Sequence, residues 1–145
     1  MKIAVKTFPG AKTEHMIHYV KPTLNKQPSQ LIIHVGTNDL SSKSPTKIVK
    51  SISVPGDAIK TEDPKTNLTV SEVITRNDEE VLADKVNLVN EHLDTLCTQR
   101  NWGLISHKNS KSIHLNGSGK HLNRQGFAIL TRNIKTQLLH NHTIN

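Results

Sequence analysis

The side chains best suited to chemistry stand in two short polar stretches about eighty residues apart, Gly36-Thr37-Asn38-Asp39 and His121-Leu122-Asn123. Asn38 carries an uncharged amide that both donates and accepts hydrogen bonds. It follows the apolar run Leu31-Ile32-Ile33-His34-Val35, which reads as a buried strand of a parallel sheet. The tetrapeptide then falls at the strand's carboxyl end, the edge of an open α/β sheet where ligands bind. His121 comes just before a predicted helix start, and imidazole exchanges a proton near neutral pH, which suits a general base.

Other chemistries find less support. The single cysteine, Cys97, excludes an internal disulfide and a four-thiol zinc site, and it sits on the apolar stripe of a predicted helix. His15 with His18, and His140 with His142, lack third and fourth ligands, so no metal is expected. No Gly-rich phosphate loop or dinucleotide fingerprint occurs, so no cofactor is expected either.

The elements that must position Asn38 and His121 alternate between strand and helix. Lys2 to Phe8 alternates polar and apolar residues as a short strand would, ending at Pro9-Gly10. Thr13 is placed to cap a helix carrying Met16, Ile17 and Val20 and stopping near Pro22. Ser44-Pro45 opens a second helix with Ile48, Val49 and Ile52 inward, broken at Val54-Pro55-Gly56-Asp57. Asn67 to Ile74 is the next strand. Asn77 and Glu80 resemble a capping box for a helix with the stripe Leu82, Val86, Val89, Leu93, Leu96 and Cys97. Trp102 to Ser106 is a last short strand, and Lys108 to Lys120 a polar loop. Asn123 caps a final helix with Phe127, Leu130, Ile134 and Leu138 inward. The pattern predicts an α/β fold with a parallel sheet covered on both faces.

The 145 residues suit one domain, read as 1–140 with 141–145 as a frayed tail. Four aromatic residues require an aliphatic core. The net charge of +7 comes from fifteen Lys and four Arg with no block of five like charges, the pattern of a solvated basic surface. The alternative reading that this charge allows is a non-catalytic basic module that contacts nucleic acid, weakly and through its phosphates, or a partner chain. No stretch is apolar enough to span a membrane and no signal-peptide core follows Met1, so an intracellular or cytoplasmic protein without a membrane partner is expected.

Together the two polar stretches resemble the third and fifth sequence blocks of the SGNH hydrolases, also called GDSL-type esterases, and Phe8-Pro9-Gly10-Ala11 is similar to their second block. The wording His34-Val35-Gly36-Thr37-Asn38-Asp39-Leu40 and His121-Leu122-Asn123-Arg124-Gln125-Gly126 resembles in particular the esterase-like domains found beside reverse transcriptases in some non-long-terminal-repeat retroelements. The resemblance implies a flavodoxin-like three-layer α/β/α fold and hydrolysis of an acyl-ester substrate. It implies Gly10 and Asn38 as oxyanion donors and His121 as the base. Gly36, Thr37, Asp39 and Asn123 support the motifs, Asp39 by capping or turn stabilisation.

Two departures from the family pattern bear on activity. The Gly-Asp-Ser block that brings the nucleophile should precede Gly10, and only nine residues stand there, so an N-terminally truncated domain lacking the fold's first strand is expected. Gly56-Asp57-Ala58 resembles that block with alanine for serine but reads as a turn. Three residues before His121 the family has an orienting aspartate, and this chain has Ser118, which can hold the ring but cannot stabilise an imidazolium as a carboxylate does. Weak or absent hydrolysis, a pseudoenzyme, is the expectation. The missing strand would leave ladders unpaired, so self-association through them is expected too.

Overall fold

Leu31, Ile33, Leu68 and Val70 are buried on one side of adjacent strands, and their apolar side chains define the inner face of the sheet. The computed structural model describes residues 2–144. Strands β1 (Gln30–Ile33), β2 (Asn67–Ser71) and β3 (Gly103–Ile105) form a parallel sheet in the order β1-β2-β3. Leu31 stands opposite Leu68, and Val70 opposite Leu104.

Against the inner face pack α3 (Pro45–Glu62) and α4 (Leu82–Arg100), which follow the short helices α1 (Met16–Tyr19) and α2 (Lys21–Leu24). The α4 stripe is as read from its periodicity: Leu82, Val86, Val89, Leu93, Leu96 and Cys97 are all buried. Helix α5 (Arg124–Ile144) lies over the other face, where the Gln137 amide comes close to Gly103 beside Thr69. The result is helix, sheet, helix, an α/β fold of three layers. Among the described residues, no helix is long and apolar enough to cross a membrane.

Several expectations need correction. Lys2 to Phe8 forms no strand: no neighbouring strand offers it a ladder, and Ile3 and Val5 stay 56% and 80% exposed. Phe8 stacks instead on Tyr19, with ring centroids 4.1 Å apart. β1 is buried on one face only, since Ile32 is half-buried. Helix α1 stops at Tyr19, close before Pro22, and Pro22 itself sits in the first turn of α2, where its missing N–H has no partner to lose.

Pro55 does not break α3, and Gly56-Asp57-Ala58 is helix rather than turn. Pro55 and Gly56 share the buried face with Ile48, Ile52 and Ile59, so packing outweighs the cost of the lost hydrogen bond, about 3 kcal/mol. The capping box at Asn77 and Glu80 is not formed. Helix α4 starts at Leu82 behind Val81, because the Asn77 N–H is spent on the Gly119 carbonyl at 2.9 Å.

Helix α5 differs most from the pattern read in its sequence. Phe127 is 57% exposed, and Leu130, Ile134 and Leu138 are only half-buried, because a three-stranded sheet offers the helix a narrow and partly polar bed. It also runs on through Ile144, so residues 141–144 are helical rather than frayed, and Asn145 lies outside the described residues.

A Cβ at Gly56 would stand 2.4 Å from the Trp102 ring, too near for any real contact. In an exposed helix Gly→Ala stabilises by about 1 kcal/mol, but overpacking here costs about 1–3 kcal/mol. Gly56→Ala is therefore expected to destabilise the fold, read by urea unfolding followed through the single tryptophan. Unchanged or increased stability would refute this account of the α3–Trp102 contact.

Candidate functional site

The loops that carry the motifs leave the carboxyl ends of the strands. After β1 the chain turns at Gly36, whose φ of +124° lies in the region that favours glycine. A side chain there would also press on Val73, 3.1 Å from its Cβ position. The turn leads into a single 3-10 turn, Thr37–Asp39.

Asp39 is fully buried, and its carboxylate explains why the motif ends in an acid. It accepts the Thr13 N–H and the Thr13 hydroxyl, both at 3.0 Å, and the Lys43 ammonium at 2.9 Å. The hydrogen bond and charge of Asp39 hold the Lys43 ammonium above the ordinary lysine range. This pairing fastens the segment after Gly10 to the loop after β1. Asn38 completes the join by donating from Nδ2 to the Ala11 carbonyl at 3.0 Å. A primary amide has two N–H donors, so one fixes the side chain and the other remains for a ligand. Gly10, at φ +73°, precedes Ala11 in the same turn and is exposed. Gly10 and Asn38 are thus neighbours.

The second motif is built around Asn123. Its Oδ1 accepts the Gly126 N–H at 2.9 Å, the helix cap read from the sequence, while its Nδ2 donates to the Ile113 carbonyl at 2.8 Å. Above it, Asn116 donates its N–H to the His121 carbonyl at 2.8 Å and closes the loop between them. The His121 imidazole projects from this loop, exposed and without a hydrogen bond to the described residues. Ser118 does not orient it: the serine hydroxyl donates to Asn116 Oδ1 at 2.5 Å and accepts the Lys120 N–H at 3.2 Å. Its neighbour Asn116 is nearer than the ring, so the local turn captures the hydroxyl.

Arg76, which sequence reasoning passed over, ties the loop after β1 to the segment that meets the second motif. Its guanidinium is buried, grips Asp78 with two hydrogen bonds of 2.8 and 2.5 Å, and donates from Nη1 to the Thr37 carbonyl at 2.8 Å. The hydrogen bond to Arg76 keeps the Asp78 carboxyl below its ordinary range. Asn77, between them, donates to Gly119, two residues from His121. The available signal was an arginine two residues before an aspartate, just past a strand end.

A second polar group on this edge also escaped the sequence reading. Asn109 and Asn133 exchange amide hydrogen bonds of 3.0 and 2.9 Å, and Asn133 Nδ2 also donates to His107 Nδ1 at 3.0 Å. With Nδ1 accepting, the His107 proton is on Nε2, which donates to the Ser71 hydroxyl at 2.6 Å. Ser71 then donates to His34 Nδ1 at 2.8 Å. The distances suit a nucleophile and base, but the polarity runs the wrong way, because His107 donates to the serine. Ser71 is also fully buried. This line of side chains is structural. The cavity of about 200 Å³ near Lys60, Asn67 and Trp102 opens at the opposite, amino-terminal edge of the sheet.

Burial first, and then the neighbouring His34, push the His107 pKa down to about 4. Its unfolded value is near 6.5, so His107 contributes stability that is fully present above pH 6.5 and lost as pH falls toward 4, roughly 3 kcal/mol in all. Asp78 acts in the same direction lower down, losing its ion pair as pH falls through its depressed pKa. Urea unfolding at a series of pH values should show the fall, and His107→Gln should flatten it between pH 6.5 and 4.5. An equal slope in the variant would exclude His107 as its source.

No family model matches the chain, and no curated protein matches it significantly. Solved structures do. A GDSL-like lipase from Bacteroides thetaiotaomicron superposes with a TM-score of 0.76 at 14% identity, over 91% of this chain and 73% of that one. A carbohydrate esterase of family 3 from Talaromyces cellulolyticus gives 0.77 at 16% identity, over 94% and 70%. An acetyl esterase variant with serine replaced by alanine, solved with an acetate ion, gives 0.75 at 17% identity, over 90% and 68%. With its parallel sheet held between layers of helix, this chain has the fold of the SGNH, or GDSL-type, lipases and esterases.

Proposed function

We propose that the rim formed by Gly10, Asn38 and His121 is an acyl-ester site of the SGNH type. The observation that supports it best is the Asn38 Nδ2 bond to the Ala11 carbonyl, which sets a half-used amide beside the exposed Gly10. Two N–H donors side by side on a strand-end ledge are what a tetrahedral oxyanion requires, and losing one such donor costs about 10²–10³ in rate. His121 takes the role of base, a reading supported by the bonds that run from the Thr37 carbonyl through Arg76 and Asn77 to Gly119, two residues from it.

Hydrolysis by these 145 residues alone is slow or absent on this reading. Ser71 is buried and engaged, and the Ser42 hydroxyl turns to the Asp39 carbonyl at 3.5 Å. Without a carboxylate behind it, His121 gains no help in holding a positive charge. In a well-studied triad that loss costs about 10⁴.

The binding half of the site is open to test without turnover. Acetate titrated into the isotopically labelled chain should shift the Gly10 N–H, the Asn38 side-chain amide and the His121 ring together in NMR spectra. Asn38→Ala should remove the shift at Gly10. Shifts confined to the cavity at the other edge of the sheet, or none at all, would refute the site. For the chemical half, the longest product of the gene that contains these residues should take up a fluorophosphonate on a serine, and His121→Ala should abolish that labelling. Labelling that survives the substitution would remove His121 from the mechanism.

A further inference from the structure

The net charge is not spread along the chain. Through Asp94 there are twelve basic and twelve acidic residues, and after it seven basic residues and no acidic one. The whole excess of +7 therefore belongs to the end of α4, β3, the motif loop and α5. Among the described residues, Arg100 pairs with Asp57, and Lys120 lies within the field of Asp78. Lys108, Lys111, Arg124, Arg132 and Lys135 are exposed and, among the described residues, have no acidic partner.

Three of these stand on α5 and two on the loop that packs against that helix. Asn109 is bound to Asn133 of α5, which docks the Lys108 side of the loop on the helix. The Lys111 N–H donates to His114 Nδ1 at 2.8 Å, and the His114 carbonyl accepts from Asn123 at 2.8 Å, which seats Lys111 near the start of α5. Along α5, Arg124, Arg132 and Lys135 project away from the face on which Gly126, Asn133 and Gln137 meet the rest of the protein. At a rise of about 1.5 Å per residue, Arg124 and Lys135 are about 17 Å apart, the axial length of about five base pairs.

We propose that the outer side of α5, with Lys108 and Lys111 on the loop packed against that helix, binds the phosphate backbone of nucleic acid, without reading sequence. A membrane surface fits less well. The most exposed apolar residues of α5 among those described, Phe127 and Leu139, are about 18 Å apart on the helix, and Leu130, Ile134 and Leu138 between them are half-buried against the protein rather than free to enter acyl chains. Base stacking on single strands fits less well too, because Phe127 is the only aromatic residue of α5. The proposal stands independently of the esterase reading.

The test compares two variants of equal net charge. One replaces Lys108, Lys111, Arg124, Arg132 and Lys135 with Gln; the other replaces Lys21, Lys26, Lys47, Lys50 and Lys65, which are also exposed. Binding to a fluorescein-labelled 20-base-pair DNA duplex is followed by anisotropy across a salt series, with circular dichroism to verify folding. The unaltered chain should show log K against log [salt] falling with a slope of about −4, from four to five phosphate contacts. The first variant should lose at least about tenfold in affinity and most of the slope, and the second less than about threefold. Equal losses would mean that the charge acts diffusely and would overturn the proposal. So would absence of binding at low salt, or tighter binding to phosphatidylserine vesicles than to the duplex.

Discussion

The guanidinium of Arg76 is the point on which the candidate site depends. Three loops leave the sheet near one rim, and loops have no ladder of their own to fix their spacing. Arg76 supplies it, holding the carbonyl after Gly36 with one nitrogen and Asp78 with two others. A buried guanidinium needs its donors satisfied, so its position is costly to change. Asp39 plays the matching part on the other side, where a carboxylate out of contact with water takes three donors and binds the Gly10 segment to the loop. The motif residues are held by charged groups that make no direct contact with a substrate in the proposed reading.

The same edge shows why geometry and polarity have to be considered together. Ser71 and His107 are at the distance of a catalytic dyad, yet Asn133 fixes the imidazole as a donor. The proton that a base must accept has no vacant nitrogen to receive it. His121 has the reverse character, with an exposed ring and nothing that orients it. One histidine is well placed and chemically saturated, and the other is chemically open and loosely placed.

The narrow sheet shapes the outer surface as well. With three strands, α5 covers a polar bed of Thr69 and Ser71 and keeps much of its apolar stripe half in water. It meets the rest of the protein partly through polar groups, the Asn133 amide on Asn109 and His107 and the Gln137 amide near Gly103. The same helix carries much of the unpaired basic charge. The face that contributes least to the core is thus the one most available to a partner.

The sequence alone determined the parallel α/β pattern, the α4 stripe, the helix cap at Asn123 and the two polar motifs, because each depends on neighbours within a few residues. It misjudged Lys2–Phe8, since alternation makes a strand only where another strand can pair with it. It misjudged Pro55 and Gly56 because a local breaker yields to a buried face, and Asn77 because its N–H had a distant carbonyl to meet. The partners of Arg76, the direction of the Ser71–His107 bond and the packing of the Asn109 loop on α5 were settled by tertiary structure. These join residues far apart in the chain, and no local pattern records which buried donor will find which acceptor.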